Sequence, residues 1–288
     1  MNHITLIAKP TIKENAEILP LILDYLKKKN KKVCLGKYIP DLVKNVKAKA
    51  DPYCKDTDLV IVLGGDGTVL RTVRHLKSFD TLVFGINLGT LGFLSEVHPD
   101  YNKITATLDK VFNGEFTIDH RLMLEASVFR KNKEIASFLA LNEFTISVDG
   151  ISRLISLQTK VDDRKLTTYR ADGLIIATPT GSTGYSLSAG GPIVYPTSPS
   201  IILTPINPHS FMQKPIVIPD HKKIKINLET KQEKGILTMD GQKKFNLEEG
   251  DEVRIKKYKE SFKFVRLPGE NYFRTIRNKL SWGKRLEA

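Results

Sequence analysis

The segment Val60–Leu70, VIVLGGDGTVL, contains the residues whose types and order point most clearly to chemistry. An apolar run leads into Gly64 and Gly65, and Asp66 follows them, which predicts a buried strand that turns sharply into a helix. The backbone N–H groups of such a turn bind phosphate, and the positive end of the helix dipole favours an anion. A carboxylate at this position would repel a phosphate, so it needs a chemical or structural reason.

Asp66 has two chemical uses at such a turn and one structural use. It can help to hold a divalent cation such as Mg²⁺, which neutralises nucleotide phosphates. It can also orient an attacking hydroxyl and accept its proton, as acceptor residues do in phosphoryl transfer. The structural alternative is that Asp66 only caps the helix. Two glycines directly after an apolar strand favour the chemical interpretation.

Two further glycine-rich segments follow, NLGTLGFL at Asn87–Leu94 and TPTGSTGYSLSAGGP at Thr178–Pro192. The second is dense in hydroxyl groups, which can surround a ribose or a phosphate, although a flexible surface loop has a similar composition. Apolar residues precede and follow it, so we expect an anchored segment. The chain has no G-x-x-x-x-G-K-[ST] motif and no G-x-G-x-x-G after a strand, which argues against a P-loop NTPase or an ordinary dehydrogenase.

The order of predicted elements divides the chain into an α/β domain with a parallel sheet and a predominantly β domain. Apolar runs and helical periodicity alternate up to about residue 115, whereas the later segments are β-rich. The predicted domains are 1–119, 120–269 and a C-terminal helix at 270–288 that packs on the first domain. The predicted strands of the first domain are Ile4–Ala8, Lys32–Leu35, Leu59–Leu63 and Leu82–Ile86, and its helices are Glu14–Lys29, Thr68–Leu76 and Ile104–Phe112.

Composition limits the class of protein. The 288 residues are 41% hydrophobic and carry a net charge of +13, which is typical of a globular protein with an anionic partner. The basic residues are spread along the chain without a nucleic-acid-binding motif, so we expect no nucleic acid and no membrane as partner. The N-terminus has no signal-peptide pattern, and Cys34 and Cys54 give no disulfide framework, which predicts a cytoplasmic protein.

Four motifs together resemble the bacterial NAD kinase family. They are GGDGT at Gly64–Thr68, the Asn-Glu pair in LNEFTI at Leu141–Ile146, the long segment Tyr169–Pro192, and MDGQ at Met239–Gln242. Lipid kinases resemble the first motif alone. The resemblance implies an α/β N-terminal domain and a β-sandwich-like C-terminal domain. It also implies phosphorylation of the adenosine 2′-hydroxyl of NAD, with ATP or polyphosphate as donor and a divalent metal, for which no dedicated protein site is predicted.

The same resemblance assigns roles to individual residues. Asp66 corresponds to the residue that contacts the reacting ribose and accepts the proton, and Gly67 lies against the nucleotide. Arg71 offers a cation to phosphate or is a surface residue. Asn142 and Glu143 correspond to the pair that recognises the adenine and its ribose by hydrogen bonds. The remaining dinucleotide contacts that it implies are Arg153, Arg170, Asp172, Thr183, Gly184, Tyr185, Ser186, Leu187, Ser188 and Gln242. For Asp172 and Gln242, a structural role in a tight turn is the alternative.

Other functions compete with the kinase. A module that senses NAD or NADP without turnover would use the same pocket but would not need an acidic Asp66. A lipid kinase would leave the Asn-Glu pair unexplained, and a nucleic-acid binder rests on charge alone. The family is generally oligomeric, so we expect a homodimer or a homotetramer.

Overall fold

The computed structural model describes residues 1–8, 15–36, 56–76, 78–87, 92–95, 100–148, 154–229, 235–269 and 271–282. The chain forms two compact units. Unit 1 contains Met1–Asp119 and Lys263–Ala288, and unit 2 contains His120–Phe262.

Unit 1 is an α/β unit built on a mostly parallel sheet with the strand order β2-β1-β3-β4-β18-β5. All five residues of β3 are buried, as expected for a parallel strand with both faces covered. The strands are β1 (His3–Ala8), β2 (Lys32–Leu35), β3 (Leu59–Leu63), β4 (Leu82–Ile86), β5 (Thr117–Arg121) and β18 (Phe262–Arg266). The helices are α1 (Asn15–Lys28), α2 (Asp66–Val73), α3 (Tyr101–Phe112) and α5 (Tyr272–Leu280).

Unit 2 consists of two six-stranded sheets, and every strand pair recorded within them is antiparallel. Buried side chains from both sheets form one hydrophobic cluster, which confirms the sandwich-like prediction. One sheet has the order β10-β9-β14-β17-β6-β7 and the other the order β13-β12-β11-β8-β15-β16. Their bounds are β6 (Leu124–Arg130), β7 (Lys133–Ala140), β8 (Glu143–Val148), β9 (Ile155–Val161), β10 (Arg164–Ala171), β11 (Gly173–Ala177), β12 (Ser200–Ile206), β13 (Ile216–Pro219), β14 (Ile224–Leu228), β15 (Gly235–Met239), β16 (Lys243–Leu247) and β17 (Glu252–Lys257).

Tight turns join neighbouring strands of unit 2. The two-residue connections Lys131–Asn132 and Asp162–Asp163, and the first two residues of the three-residue connection at 240–242, all have positive φ angles. Positive φ at both central residues matches the natural twist of antiparallel hairpins. These turns join β6 to β7, β9 to β10 and β15 to β16.

The structure changes two expectations from the sequence. Residues 263–269 belong to unit 1 rather than to the β-rich unit, because β18 pairs in parallel with β4 through Phe264 and Val83. Cys34 on β2 is disulfide-bonded, which corrects the interpretation of the cysteines, and Cys54 lies outside the described residues. Among the described residues, no helix combines the length and apolar character needed for a membrane span.

Candidate active site

The turn after β3 places Asp66 as the first residue of α2, two residues earlier than the predicted helix start. Gly65 is the N-cap with an extended backbone, and no side chain caps this helix. The cap-only role of Asp66 is therefore wrong. The Gly64 N–H donates to the Ile86 carbonyl oxygen over 2.8 Å, which fixes the turn at the carboxyl end of β4. Asp66 is half-buried and Gly67 is exposed.

The Asp66 carboxylate binds the segment that follows β4 instead of its own helix. The Phe93 N–H donates to Oδ2 over 2.8 Å, and the Leu94 N–H donates to Oδ1 over 3.0 Å. The Ser95 hydroxyl lies 3.5 Å from Oδ1. Because each carboxylate oxygen has its own backbone donor, the orientation of the carboxylate plane is fixed.

Gly92 makes this approach possible. A Cβ atom at Gly92 would lie 1.9 Å from Oδ1 of Asp66, closer than any side chain permits. A glycine is therefore required near the end of the segment at 87–94, because the backbone there contacts the Asp66 carboxylate. Residues 88–91 lie outside the described residues.

Arg71 lies in the last turn of α2, and its side chain is exposed. This position is compatible with both interpretations of the sequence, a cation for phosphate and a surface residue.

In unit 2, Asp240 organises the backbone of the Asn-Glu pair. Its Oδ1 accepts the N–H groups of Asn142 over 2.7 Å and Glu143 over 3.2 Å, and its Oδ2 accepts the N–H of Leu141 over 3.3 Å. Asp240 is only 4% exposed. The MDGQ motif contains Asp240, but only Gln242, two positions further on, was predicted from it as a site residue.

The side chains of Asn142 and Glu143 offer buried polar atoms to a ligand. Asn142 Oδ1 and Glu143 Oε2 are buried and have no hydrogen-bond partner in the described part of the chain. Such atoms are rare in folded proteins unless a bound group or water satisfies them. A Cβ atom at Gly184 would lie 3.4 Å from Asn142 Nδ2 and from Glu143 Oε2, so these three residues form one polar cluster.

Burial raises the pKa of Glu143 to about 8, and the negative charge of Asp240 contributes in the same direction. Only 4% of Glu143 is exposed, so its ionised form loses most of its hydration. At neutral pH this side chain therefore carries a proton that it can donate to a sugar hydroxyl or to a base nitrogen.

The glycine-rich segment at 178–192 is anchored, as the sequence predicted. The Thr178 hydroxyl donates to the Leu141 carbonyl oxygen over 2.6 Å, and a Cβ atom at Gly181 would lie 2.1 Å from the Asn142 carbonyl oxygen. The hydroxyl of Ser182, which is fully buried, donates to the Pro179 carbonyl oxygen over 2.6 Å. The segment contains a 3-10 turn at Thr180–Thr183 and the one-turn helix α4 at Tyr185–Ser188.

The other members of this segment differ in exposure. Tyr185 is 48% exposed, and Ser188 is also exposed, so both side chains can reach a ligand. Thr183 and Leu187 are half-buried. Ser186 is fully buried, and its hydroxyl lies 2.9 Å from that of Thr204, so this hydroxyl serves the fold.

The remaining predicted contacts lie on strands and turns of unit 2. Arg170 on β10 is exposed, and Asp172 accepts a hydrogen bond of 2.9 Å from Asn207 Nδ2. Gln242 is exposed, and its N–H donates to the Met239 carbonyl oxygen to close the turn. Arg153 lies outside the described residues.

A buried arginine also supports the segment, and the sequence analysis missed it. Arg121 is 2% exposed, and its Nη1 donates to Thr180 Oγ1 over 3.3 Å. A buried guanidinium beside the 3-10 turn places positive charge close to the hydroxyl-rich segment.

The geometry defines a class first: a two-unit protein with a half-buried carboxylate at a glycine-rich strand-to-helix turn of unit 1, and with buried polar atoms of Asn142 and Glu143 in unit 2 that have no hydrogen-bond partner in the described part of the chain. Family models then identify both units. The model of the ATP-NAD kinase N-terminal domain matches residues 4–116, and that of the ATP-NAD kinase C-terminal domain matches residues 141–267. The chain belongs to the ATP-NAD kinase family, a family of phosphotransferases.

Individual relatives agree with the family models. The NAD kinase of Geotalea daltonii is 40% identical over 250 residues, which cover 85% of this chain and 87% of the relative. The NAD kinase of Syntrophotalea carbinolica is 43% identical over 228 residues, 79% of each chain.

Two solved structures have the same fold. Yeast NADH kinase in complex with NADH superposes with a TM-score of 0.89 at 28% identity, covering 100% of this chain and 90% of its own. An NAD kinase from Archaeoglobus fulgidus in complex with ATP has a TM-score of 0.75 at 28% identity, covering 97% and 98%.

The raised pKa of Glu143 predicts a specific dependence of stability on pH. Glu143 keeps its proton in the folded protein at pH values where the unfolded chain, with a pKa of 4.5, has lost it. Its contribution to stability is therefore complete below about pH 4.5 and is lost as the pH rises through about 8. Relative to the wild type, Glu143→Gln should gain up to about 1.4 kcal/mol of unfolding free energy per pH unit across this window.

Urea unfolding of both proteins at several pH values measures this difference. Glu125→Gln is the matched control, because Glu125 is a partly exposed carboxylate of the same unit that pairs with Lys256. Parallel pH profiles for Glu143→Gln and the wild type would show that Glu143 is ionised in the folded protein.

Proposed function

We propose that the protein transfers the terminal phosphoryl group of ATP to the 2′-hydroxyl of the adenosine ribose of NAD. The ribose oxygen forms the new bond to phosphorus, the bond between this phosphorus and the ADP oxygen breaks, and the hydroxyl proton passes to Asp66. The observation that carries the proposal is the Asp66 carboxylate, held by two backbone N–H groups at the glycine-rich turn between β3 and α2.

Asp66 acts mainly by orientation in this proposal. A carboxylate is far weaker as a base than an alkoxide, so it does not remove the proton before the phosphoryl group begins to transfer. Its fixed plane holds the hydroxyl in line with the donor, and it takes the proton late. Gly67 lies against the nucleotide, and Arg71 offers its charge to a phosphate.

The donor set at the turn fits a divalent cation. Mg²⁺ is usually bound by one or two carboxylates together with substrate phosphates, and a carboxylate that accepts two N–H groups still has free lone pairs. Asp66 is a half-buried carboxylate of this kind. When bound, the cation would neutralise the phosphates. No group of three or more metal-ligating side chains occurs among the described residues, so ATP would supply the other ligands.

Unit 2 binds the dinucleotide in this proposal. The unpartnered Asn142 Oδ1 and Glu143 Oε2 support recognition of adenine and its ribose, because a ligand would supply the hydrogen bonds that they lack. The other proposed contacts are Arg153, Arg170, Asp172, Gln242 and the segment Thr183–Ser188, in which Tyr185 can stack on a ring.

Turnover with a panel of donors tests the proposal. Purified protein, NAD and Mg²⁺ are incubated with ATP or with polyphosphate, and NADP is measured with an NADP-specific dehydrogenase. We expect NADP with ATP and none after the metal is chelated. NADP formation that survives chelation would contradict the role of the metal. NAD binding without turnover on either donor would favour the sensing module over the kinase.

We also propose that the protein is cytoplasmic and that it forms a homodimer or a homotetramer. The location rests on the family, because the disulfide-bonded Cys34 no longer supports the argument from the cysteines. Two neighbouring apolar side chains of unit 2, Phe211 and Met212, are 80% and 74% exposed, which supports a contact between subunits. Sedimentation velocity of the wild type and of Phe211→Ser would test this contact, since a dimer or tetramer should dissociate in the variant.

A further inference from the structure

The ring of Phe93 is held by the C-terminal helix α5. Its centroid lies 6.4 Å from that of Tyr272 with an interplanar angle of 53°, and Lys279 Nζ lies 5.8 Å from the same centroid. A tilted ring pair and a cation over a ring are both attractive arrangements. The backbone N–H of this same Phe93 donates to Asp66 Oδ2.

The spacing of the α5 residues explains these contacts. Tyr272, Ile276 and Lys279 are separated by four and three positions, so they lie on one face of the helix. Ile276 is buried at 4% exposure, and Tyr272 is half-buried. Asn271 fixes the start of the helix, since its side chain accepts the first-turn N–H of Phe273 over 2.9 Å.

The two donors to Asp66 are held by different parts of unit 1. The Leu94 carbonyl oxygen packs against β4, where a Cβ atom at Gly85 would lie 2.5 Å from it, and Leu94 is 2% exposed. Strand β4 therefore positions the donor to Oδ1. Phe93 is half-buried, and its ring packs on α5. Arg266 Nη2 of β18 lies 3.5 Å from the Phe93 carbonyl oxygen, so helix α5, through the ring, and this long contact to β18 together position the donor to Oδ2.

We propose that α5 is a positioning element for Asp66. Tyr272 and Lys279 fix the Phe93 ring, the ring fixes the Phe93 backbone, and the Phe93 N–H fixes one oxygen of the carboxylate. Without α5 the donor to Oδ2 is held less firmly, so the carboxylate depends on the two contacts to Oδ1, from the Leu94 N–H and the Ser95 hydroxyl, and it can rotate away from the reacting hydroxyl. The expected fall in kcat rests on the proposed function. The expected weakening of the hydrogen bond from the Phe93 N–H to Asp66 does not.

Four variants test the proposal. Tyr272→Ala removes the ring, Tyr272→Phe retains it, and Lys279→Ala removes the cation. Arg277→Ala is the matched control, because Arg277 is an exposed cation in the same last turn of α5. Hydrogen–deuterium exchange of the Phe93 amide and the kinetics of NADP formation are measured for each variant.

We expect the Phe93 amide to exchange at least about threefold faster in Tyr272→Ala and Lys279→Ala, and at the wild-type rate in Tyr272→Phe and Arg277→Ala. In Tyr272→Ala, kcat should fall about two- to tenfold, the range that an aromatic pair supplies, while the Kd for NAD stays within about twofold. In Asp66→Asn, the amide already exchanges quickly, so adding Tyr272→Ala should cause no further increase.

An unchanged Phe93 amide in both Tyr272→Ala and Lys279→Ala would overturn the proposal, as would an equal loss of kcat in Arg277→Ala. If Tyr272→Ala does not fold, the exchange rate of the Phe93 amide in Lys279→Ala decides the matter, because Lys279 is exposed and its replacement leaves the core intact. If the wild type shows no turnover, the proposed function fails, and amide exchange still decides the role of α5.

Discussion

Asp66→Asn is expected to lower the kcat for NADP formation by about 100-fold or more, the scale on which a positioned acid–base group contributes. Two losses combine in this variant. The amide is a much poorer proton acceptor, and its NH₂ group cannot accept the N–H bond that Phe93 or Leu94 donates to the carboxylate. Steady-state kinetics measure kcat, and titration with NAD measures affinity, which should change by only a few-fold because the substitution removes little contact area.

Asp80→Asn is the control for this experiment. Asp80 is a carboxylate of the same unit, 91% exposed, that pairs with Lys263 over 2.6 Å. Its replacement should leave kcat within about twofold, since an exposed ion pair contributes little. A kcat in Asp66→Asn close to that of the wild type would rule out a role for this carboxylate in the reaction.

Arg130→Ala is expected to destabilise unit 2 strongly. Arg130 Nε and Nη2 each donate to a different oxygen of Asp251 over 2.9 Å, and the Asp251 side chain is fully buried. Removing the guanidinium leaves a buried carboxylate with only the Glu248 N–H among its recorded donors. The expected loss is about 3 kcal/mol of unfolding free energy, at the lower end for a broken buried pair because Arg130 is itself 31% exposed.

Urea unfolding of Arg130→Ala and Lys256→Ala measures this effect against a matched surface pair. Lys256 lies in the same sheet and pairs with Glu125 over 3.1 Å, with 56% of its side chain exposed. Its loss should cost less than about 1 kcal/mol. Equal losses in the two variants would show that Asp251 finds other partners when Arg130 is absent.

The buried strands of unit 1 were the most predictable part of the fold. The predicted bounds of Leu59–Leu63 and Leu82–Ile86 equal those in the structure, because strands covered on both faces are continuous apolar runs. Two strands of unit 2 gave no such signal. β16, KKFNL, is an edge strand with mostly exposed residues, and β12 contains Pro205.

Pro205 is tolerated in β12 because of where the neighbouring strand ends. β13 pairs only with Ser200–Leu203, so Pro205 lies beyond the ladder on that side. A proline has no N–H to donate and is accepted at such an unpaired position. A proline in a local pattern is a signal against a strand, and here the register of β12 with β13 explains why the strand forms.

The functional side chains of the site could be predicted from the sequence, but the residues that hold them in position could not. The motifs indicated Asp66, Asn142 and Glu143 because their residue types and flanking glycines are unusual. Asp240 and Phe93 hold these residues through contacts 97 to 99 and 27 positions apart in the chain. Such contacts depend on how strands are ordered in the sheets, which local periodicity does not specify.

The most direct measurement follows a labelled phosphoryl group from donor to product. Wild-type protein is incubated with NAD, Mg²⁺ and ATP labelled in its terminal phosphate, and the dinucleotide product is isolated and tested with an NADP-specific dehydrogenase. We expect the label to enter a dinucleotide that this dehydrogenase reduces as NADP. Label found only in inorganic phosphate, or in a dinucleotide that the dehydrogenase does not accept, would contradict it.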